Sequence, residues 1–291
     1  MKRGLGIAVS CTSYTIAVVT LLTLNILVYS IIFIEGSRPP LTIHYLAVGQ
    51  ADATFIETAT GNRMLIDVGG GRSTADTVAG LLPFYDQRID VVLVTHPHSD
   101  HMDGLVALLE YVDVGLVLDS GSGHTTGVVK DYLIALEENN VDKIYARRGM
   151  IVNLSREVKV YILFPDRNTR ALDPDNASVW AKVKHGGNSF LFTGDAFVAI
   201  EEYMVDMDGE RLRSDVFQAG HHGSRTSNSF DLLNSVMPEY VVVSAGVNNR
   251  YGHPHSEALE AFEYVGAEVL ETPNDGNIVF ISNEHGIERI K

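Results

Sequence analysis

The chain is poor in cysteine, in tryptophan and in positive charge. One cysteine, Cys11, occurs in 291 residues, which excludes an internal disulfide and a thiolate metal cage. Any metal must therefore rest on histidine and carboxylate ligands. Lysine and arginine number 22 against 37 aspartate and glutamate, and the net charge of −15 repels a polyanion at long range. A nucleic-acid function would have to rest on a local site. Trp180 is the single tryptophan, and with scattered Tyr and Phe it gives no evident stacking platform for unpaired bases. Low-complexity tracts and short-period repeats are absent too. A composition 45% hydrophobic over 291 residues allows one large core and about two domains at most.

What is present begins with an apolar N-terminus. No charged residue occurs from Gly4 to Ile34, a run long enough to cross a bilayer as a helix. Lys2 and Arg3 precede it, and the positive-inside bias keeps them in the cytoplasm and sends the chain after Glu35 outside. A cleaved signal peptide is the competing reading. The run exceeds a usual h-region and no clean small-x-small site follows, which favours an uncleaved single-pass anchor, although Ser, Thr and Asn25 thin its hydrophobicity. The expected organisation is a cytoplasmic N-terminus and anchor over 1–36, a stiff linker over 37–40 and one domain over 41–291.

In that domain, short β-rich runs come first (Leu41 to Leu46, Thr54 to Glu57, Arg63 to Asp67), followed by strands alternating with helical patterns. Val91 to Val94 and Val158 to Phe164 read as strands, with helices over Met102 to Tyr111 and Thr126 to Glu137. The second half reads as strands at Ser178 to Lys184, Phe190 to Thr193, Val216 to Ala219, Tyr240 to Ser244 and Glu268 to Glu271. Helices fall near Phe197 to Met204 and Ser256 to Tyr264. Two β-rich halves with interspersed helices predict two packed sheets with helices outside, although periodicity alone specifies only an α/β (α+β) class.

Four candidate ligands, His96, His98, Asp100 and His101, follow the strand Val91 to Val94 within six residues. In an extended loop His96 and His98 point to one side and can share an ion, and the turn after them swings Asp100 and His101 toward a second. Imidazole with carboxylate suits Zn²⁺, Mn²⁺ or Fe. Two adjacent cations also need a bridging carboxylate, which Asp195 supplies beyond the strand ending at Thr193, an ordinary Gly-Asp turn being its alternative. The pair His221 and His222 follows another strand. Of the two, His221 is read as the ligand and His222 as the group that contacts substrate or protonates the leaving oxygen.

These segments resemble the metallo-β-lactamase superfamily: His96-x-His98-x-Asp100-His101, with Leu65-Ile66-Asp67-Val68-Gly69 before it and Thr193-Gly194-Asp195 after it. More narrowly, Leu46 to Ala53, Asn176 to Val179, Ala219 to Ser224, Asn249 to His255 and Thr272 to Gly276 resemble the extracytoplasmic hydrolase domain of ComEC-type competence proteins. The resemblance runs from about Leu41 to Ile281. It implies an αββα sandwich, two divalent ions (Zn²⁺ or Mn²⁺), and catalysis by Asp100, Asp195 and His222. Where that family shows Leu-Asp-Val-Gly-Gln-Gly-Asp, this chain has Ala47 and Ala51, which removes a supporting carboxylate. Asn176, with Ser178 beside it, takes the place of the third histidine of lactamases and lactonases, which leans the first site toward Mn²⁺ or an exchangeable ion. The family's many-helix channel has no counterpart here, so a separate DNA-uptake channel is the implied partner.

Asp67 is expected behind a ligating histidine, the alternative being a strand-ending residue before Gly69. Ser224, Arg225, Asn176, Arg250 and His253 are the substrate candidates, with backbone N–H groups of Gly223 and Ser224 beside them; a solvated surface charge is the alternative for each arginine. His185 reads as an exposed hairpin residue before Gly186. The leading functional expectation is phosphodiester hydrolysis on DNA outside the membrane. Hydrolysis of a small envelope ester, a phosphocholine-type phosphodiester or a lactone, is the second, and a non-catalytic metal- or DNA-binding module the third.

Overall fold

A computed structural model describes residues 11–36, 38–283 and 285–290. Lys2, Arg3, residues 4–10 of the expected span and Ser37 of the expected linker lie outside the described residues. The chain divides into two compact units, Met1–Arg38 and Pro39–Lys291. In the first, helix α1 spans Cys11–Gly36, and its segment Thr12–Phe33 is long and apolar enough to cross a membrane. Its polar side chains turn onto their own helix. Thr20 and Thr23 donate to the carbonyls of Ile16 and Val19 at 2.9 Å, and Asn25 Nδ2 donates to that of Leu21 at 2.8 Å. Thr20, Thr23 and Asn25, which thin the run's hydrophobicity, thus each place a donor on a carbonyl of their own helix.

The second unit begins at Pro39, and the Pro40 carbonyl already accepts the Ala59 N–H. Its first half supplies strands β1 (Leu41–Tyr45), β2 (Ala53–Thr58), β3 (Arg63–Val68), β4 (Arg88–Val94), β5 (Asp113–Asp119) and β6 (Asp142–Tyr145), with helices α2 (Gly71–Leu81), α3 (Ser99–Leu108) and α4 (Gly127–Glu138). The second half supplies β7 (Ile151–Asn153), β8 (Val158–Phe164), β9 (Trp180–His185), β10 (Asn188–Phe192), β11 (Val216–Gln218), β12 (Tyr240–Val243) and β13 (Glu268–Glu271), with α5 (Val198–Asp208), α6 (Phe230–Val236), α7 (Ser256–Tyr264) and the short α8 (Thr272–Asp275). Strands β14 (Ile278–Asn283) and β15 (Gly286–Ile290) return to the first half, giving sheets ordered β15-β14-β1-β2-β3-β4-β5-β6 and β13-β12-β11-β10-β9-β8-β7.

Alternation along the strands builds the layers. Ile43, Ile56, Met64, Ile66 and Leu93 face Val160, Ile162, Val183, Phe190 and Phe192 across the middle of the sandwich. Their strand neighbours Phe55, Leu65, Val92 and Val94 face outward onto Ala75 and Val78 of α2, Met102 and Leu105 of α3, and Leu136 of α4. The other sheet presents Leu191, Phe217 and Val241 to Met204, Leu233 and Phe262 on its own helices. This is the expected αββα sandwich. Helix α2 escapes sequence reading because its inner face is small, with only Thr74, Ala75 and Val78 buried, and because Gly69 to Gly71 imitates a turn.

One sequence expectation fails on burial. His185 is 5% exposed and its Nδ1 lies 2.9 Å from Ser282 Oγ, since returning strand β14 brings Ser282 onto the hairpin. Trp180 is fully buried in the second outer layer and cannot stack on anything from solvent.

Candidate metal centre

Strands β3 to β6 run parallel, as do β10 to β13, so each sheet collects its strand carboxyl ends along one edge. Chain emerging from these ends is where open α/β sheets place ligands. The loop after β4 carries His96 and His98 and enters α3 at Ser99, which places Asp100 and His101 in its first turn. The turn after β10 carries Asp195, and a tight turn after β11 carries His221 and His222. The two halves meet where the Val179 N–H donates to the Thr95 carbonyl at 2.9 Å.

Close packing locks these loops. A side chain at Gly69 would overlap the Asp100 carbonyl, and that same carbonyl accepts the Asp52 N–H at 3.0 Å. Asp67, His221 and His222 hold positive φ (59°, 51° and 55°), a left-handed conformation costly for residues with a Cβ and concentrated at functional sites.

Hydrogen bonds decide which ring nitrogens are free. Asp67 accepts the Thr95 N–H and Oγ1–H, both at 2.7 Å, and His101 Nδ1 at 2.8 Å. His101 therefore has Nε2 left over, buried and without a hydrogen-bond partner. The Thr95 hydroxyl, having spent its proton on Asp67, can only accept from His96 Nδ1 (3.2 Å), which frees His96 Nε2. His222 Nδ1 donates to the Ser244 carbonyl at 2.9 Å, which frees His222 Nε2. Three imidazoles are thus fixed with Nε2 lone pairs, the pattern in which a metal-ligating histidine gives its other nitrogen to a carbonyl or carboxylate.

Those lone pairs converge on carboxylates. Asp195 Oδ2 lies 3.3 Å from His101 Nε2, 3.8 Å from His96 Nε2 and 3.7 Å from His221 Nε2, and its Oδ1 is buried without a partner. Asp100 Oδ2 lies 3.4 Å from His222 Nε2. His98 Nδ1 lies 3.1 Å from His96 Nε2 and 2.9 Å from Asp175 Oδ1. Metal–nitrogen bonds of 2.0–2.1 Å in a tetrahedral site set donors roughly 3.3 Å apart, so these spacings fit ions. Among the described residues four groups have the required compactness: His96, His98 and Asp175; His96, His101 and Asp195; Asp100, His101 and His222; and Asp52, Asp67 and His101.

The electrostatics agree. Burial alone would discharge His101, yet the carboxylates of Asp195 and Asp67 raise it well above the ordinary imidazole range. Burial would raise Asp195, but the fields of His101 and His96 hold it well below the ordinary carboxylate range. The carboxylates draw positive charge into a buried cluster, which divalent cations would supply.

Several residues take places the sequence did not assign. Asp175 is the carboxylate beside His96 and His98, whereas Asn176 Oδ1 accepts the Phe197 N–H at 3.2 Å. Asp52 lies 3.3 Å from His222 Nδ1 and 3.9 Å from His101 Nδ1, and so backs two rings at once. The Leu46 to Ala53 segment thus delivers a carboxylate despite Ala47, which is exposed and donates its N–H to Asn277. His221 Nδ1 lies 3.1 Å from the Thr226 hydroxyl. The Ser224 N–H is spent on the His221 carbonyl and cannot serve an anion, and its hydroxyl lies 2.9 Å from that of Thr226. Arg225 reaches Glu257 at 3.3 Å, and Arg250 stacks on Tyr251. A cleft of about 400 Å³ opens over the cluster, walled by Gln50, Thr126, Tyr251 and His253.

Comparison with known proteins agrees with the fold. The family model described as the metallo-beta-lactamase superfamily matches residues 46–247. The chain is 26% identical over 265 residues to ComE operon protein 3 of Bacillus subtilis, covering 82% of this chain and 32% of that protein. It is 28% identical over 257 residues to competence protein ComA of Neisseria gonorrhoeae, again covering 82% and 32%. The chain thus spans about a third of the length of these curated relatives. Among solved structures, the metallo-beta-lactamase fold protein YhfI from Bacillus subtilis superimposes with a TM-score of 0.56 at 11% identity, covering 83% of this chain and 99% of that one. Zn²⁺-bound PqqB from Methylobacterium extorquens gives 0.52 at 12% identity over 80% and 98%. With a family match over most of its length and the two-sheet architecture in place, this chain belongs to the metallo-beta-lactamase superfamily.

Proposed function

We propose that the chain is a membrane-anchored, dinuclear-metal phosphodiesterase whose substrate is DNA outside the cytoplasmic membrane. The observation that carries this reading is the convergence of the His96 and His101 Nε2 lone pairs on Asp195 and of the His222 Nε2 lone pair on Asp100, with each Nδ1 already committed. His96, His98, Asp175 and Asp195 would hold one ion; Asp100, His101, His222 and Asp195 the other. Asp195 would be shared between them, its charge offsetting two adjacent cations as neutral imidazoles cannot. Zn²⁺ or Mn²⁺ there would supply Lewis acidity, lowering the pKa of a water and neutralising phosphoryl oxygens.

The remaining work falls to residues of the chain. Asp67 and the Ser244 carbonyl fix the rings of His101 and His222 from behind, with Asp52 beside both. His253 and Tyr251 wall the cleft where a phosphodiester would lie, and His253 is placed to donate to a non-bridging oxygen. His221, partly exposed at the cleft, is the group assigned to the leaving oxygen. DNA is favoured as substrate because the relatives carry the names of competence proteins. Anchoring rests on Thr12–Phe33, and an outside domain rests on Lys2 and Arg3.

The test is Mn²⁺- or Zn²⁺-dependent degradation of labelled DNA by the full chain in detergent micelles. Degradation that chelation abolishes is expected. Inactivity on DNA with turnover of bis-p-nitrophenyl phosphate would transfer the reading to a small envelope phosphodiester, and inactivity on both would remove the enzymatic reading. Protease digestion of intact spheroplasts should cleave the domain, and protection there would overturn the outside orientation.

A further inference from the structure

A second cavity, about 240 Å³, adjoins the cluster and shares His96 and Pro97 with it. It opens at the carboxyl ends of β5 and β6, next along the sheet from the β4 end that carries the metal ligands. One wall is the loop Ser120-Gly121-Ser122-Gly123-His124; the others include Lys143, Tyr145 and Arg170.

This loop is built to a fixed shape. The Ser120 carbonyl accepts from Arg147 Nη1 at 2.9 Å and from the buried Thr169 hydroxyl at 2.5 Å. Gly121 has φ 73°, and a Cβ on it would come within 3.0 Å of both the Arg147 guanidinium and the Tyr145 ring. A Cβ on Gly123 would overlap the Arg170 carbonyl. Both positions therefore require glycine for close approach.

The charge at this cavity is opposite in sign to the chain's. Its one carboxylate, Asp119, is saturated: Lys143 lies 3.0 Å away, the Tyr132 hydroxyl donates at 3.2 Å and the Gly121 N–H at 2.9 Å. Arg170 makes no ion pair among the described residues, so the cavity carries a net positive charge. Tyr145 is half exposed and flanked by Lys143 and Arg147, 5.0 and 5.4 Å from its ring centre. His124 packs edge-on against His98, 5.6 Å between centroids, and joins this cavity to the cluster.

An exposed phenol, an uncompensated guanidinium and a fixed glycine-serine loop beside a hydrolytic centre together select an anion that carries a ring. The volume lies just below the roughly 300–1,000 Å³ of sites for drug-sized ligands, and so suits one ring system with its phosphate rather than an oligomer. We infer that this cavity is a subsite for the nucleotide unit next to the scissile phosphate, its phosphate toward Arg170 and Lys143 and its base against Tyr145. The assignment rests on the phosphodiesterase reading above and specifies how that site holds its substrate.

The experiment is calorimetric titration of the full chain in detergent micelles, with chelator present, using thymidine 5′-monophosphate, thymidine and inorganic phosphate as probes. The nucleotide should bind more tightly than either part. Tyr145→Ala and Arg170→Ala should each weaken it about tenfold, the loss expected from one stacked base or one charge-assisted contact. Tyr264→Ala, a surface tyrosine on α7, should bind as the parent does. If Arg170→Ala melts early, Tyr145→Ala reads the same cavity from another wall. Equal affinity for phosphate and nucleotide, or unchanged nucleotide affinity in Tyr145→Ala, would overturn the subsite. DNA hydrolysis with no nucleotide binding would remove the subsite and leave the phosphodiesterase; nucleotide binding lost in both variants with no hydrolysis of any phosphodiester would do the reverse.

Discussion

Gln50 fixes the proton of His253. Gln50 Oε1 accepts the Gly246 N–H at 2.9 Å, which turns its Nε2 to face His253 Nδ1 at 3.3 Å. An amide nitrogen only donates, so His253 Nδ1 accepts and the ring carries its proton on Nε2. A residue of the first half thereby orients a cleft residue of the second, 203 positions away.

Replacing that donor with an acceptor should move the proton. In Gln50→Glu the carboxylate can still accept from Gly246 while drawing a proton onto His253 Nδ1. The ¹⁵N shifts of the two ring nitrogens should change accordingly, and phosphodiester turnover should fall about tenfold, the scale of one lost hydrogen bond of about 1.4 kcal/mol. Ring shifts identical to the parent's would refute the assignment.

His253 also gives the stability a pH dependence. Burial, followed by the nearby His222, His221 and His255, pushes its pKa from 6.5 down to about 4. Its folded pKa lies below the unfolded value, so between these limits the unfolded chain takes up the proton first. The stabilisation from the neutral ring is present above about pH 6.5 and is lost as the pH falls through about 4. Thermal melts from pH 7 to pH 4 should therefore fall more steeply for the parent than for His253→Gln, and parallel curves would contradict the shift.

Metal content tests the cluster itself. Two equivalents of Mn²⁺ or Zn²⁺ per chain are expected, with one or none in Asp195→Asn and a loss in His222→Ala. His221→Ala should keep both, since the proposed ligand sets do not include it, although its Nε2 lies 3.7 Å from Asp195 Oδ2. At a free metal concentration 100 times the dissociation constant, one ion adds about 2.7 kcal/mol of stability, which chelation should remove as a lower melting temperature. Asp195→Asn retaining two ions and full activity would rule out the bridging role.

Two glycines should respond in opposite directions. Gly69→Ala would place a methyl group on the Asp100 carbonyl, so the loop that carries the ligands must shift, with a stability loss above 1 kcal/mol and weakened metal binding. Gly80 lies in α2 with open space around its Cα. There Gly80→Ala should raise stability by about 0.5–1 kcal/mol through helix propensity. Equal melting temperatures for the two variants would show that the Gly69 contact is not tight.

Much of this was legible in the chain. Val158 to Phe164, Glu268 to Glu271 and Ser256 to Tyr264 fold over the bounds their patterns gave, because alternation and helical periodicity record which face meets the core. His96, His98, Asp100 and His101 could be read because six residues after a strand hold four ligand-type side chains. Asp52 and Asp175 could not be read in that way. Each is a single carboxylate in a loop, and its proximity to a histidine follows from chain folded far away.

The sequence alone determined the apolar helix, the ligand-rich loop and the absence of cysteine ligands, since each depends on neighbours along the chain. Only the tertiary structure gives His221 and His222 different surroundings, which composition and spacing cannot separate. The Ser244 carbonyl, 22 residues on, takes the Nδ1 proton of His222 and leaves its Nε2 free beside Asp100. A lone pair is directed by its ring's other partner, and that partner is brought close only by folding.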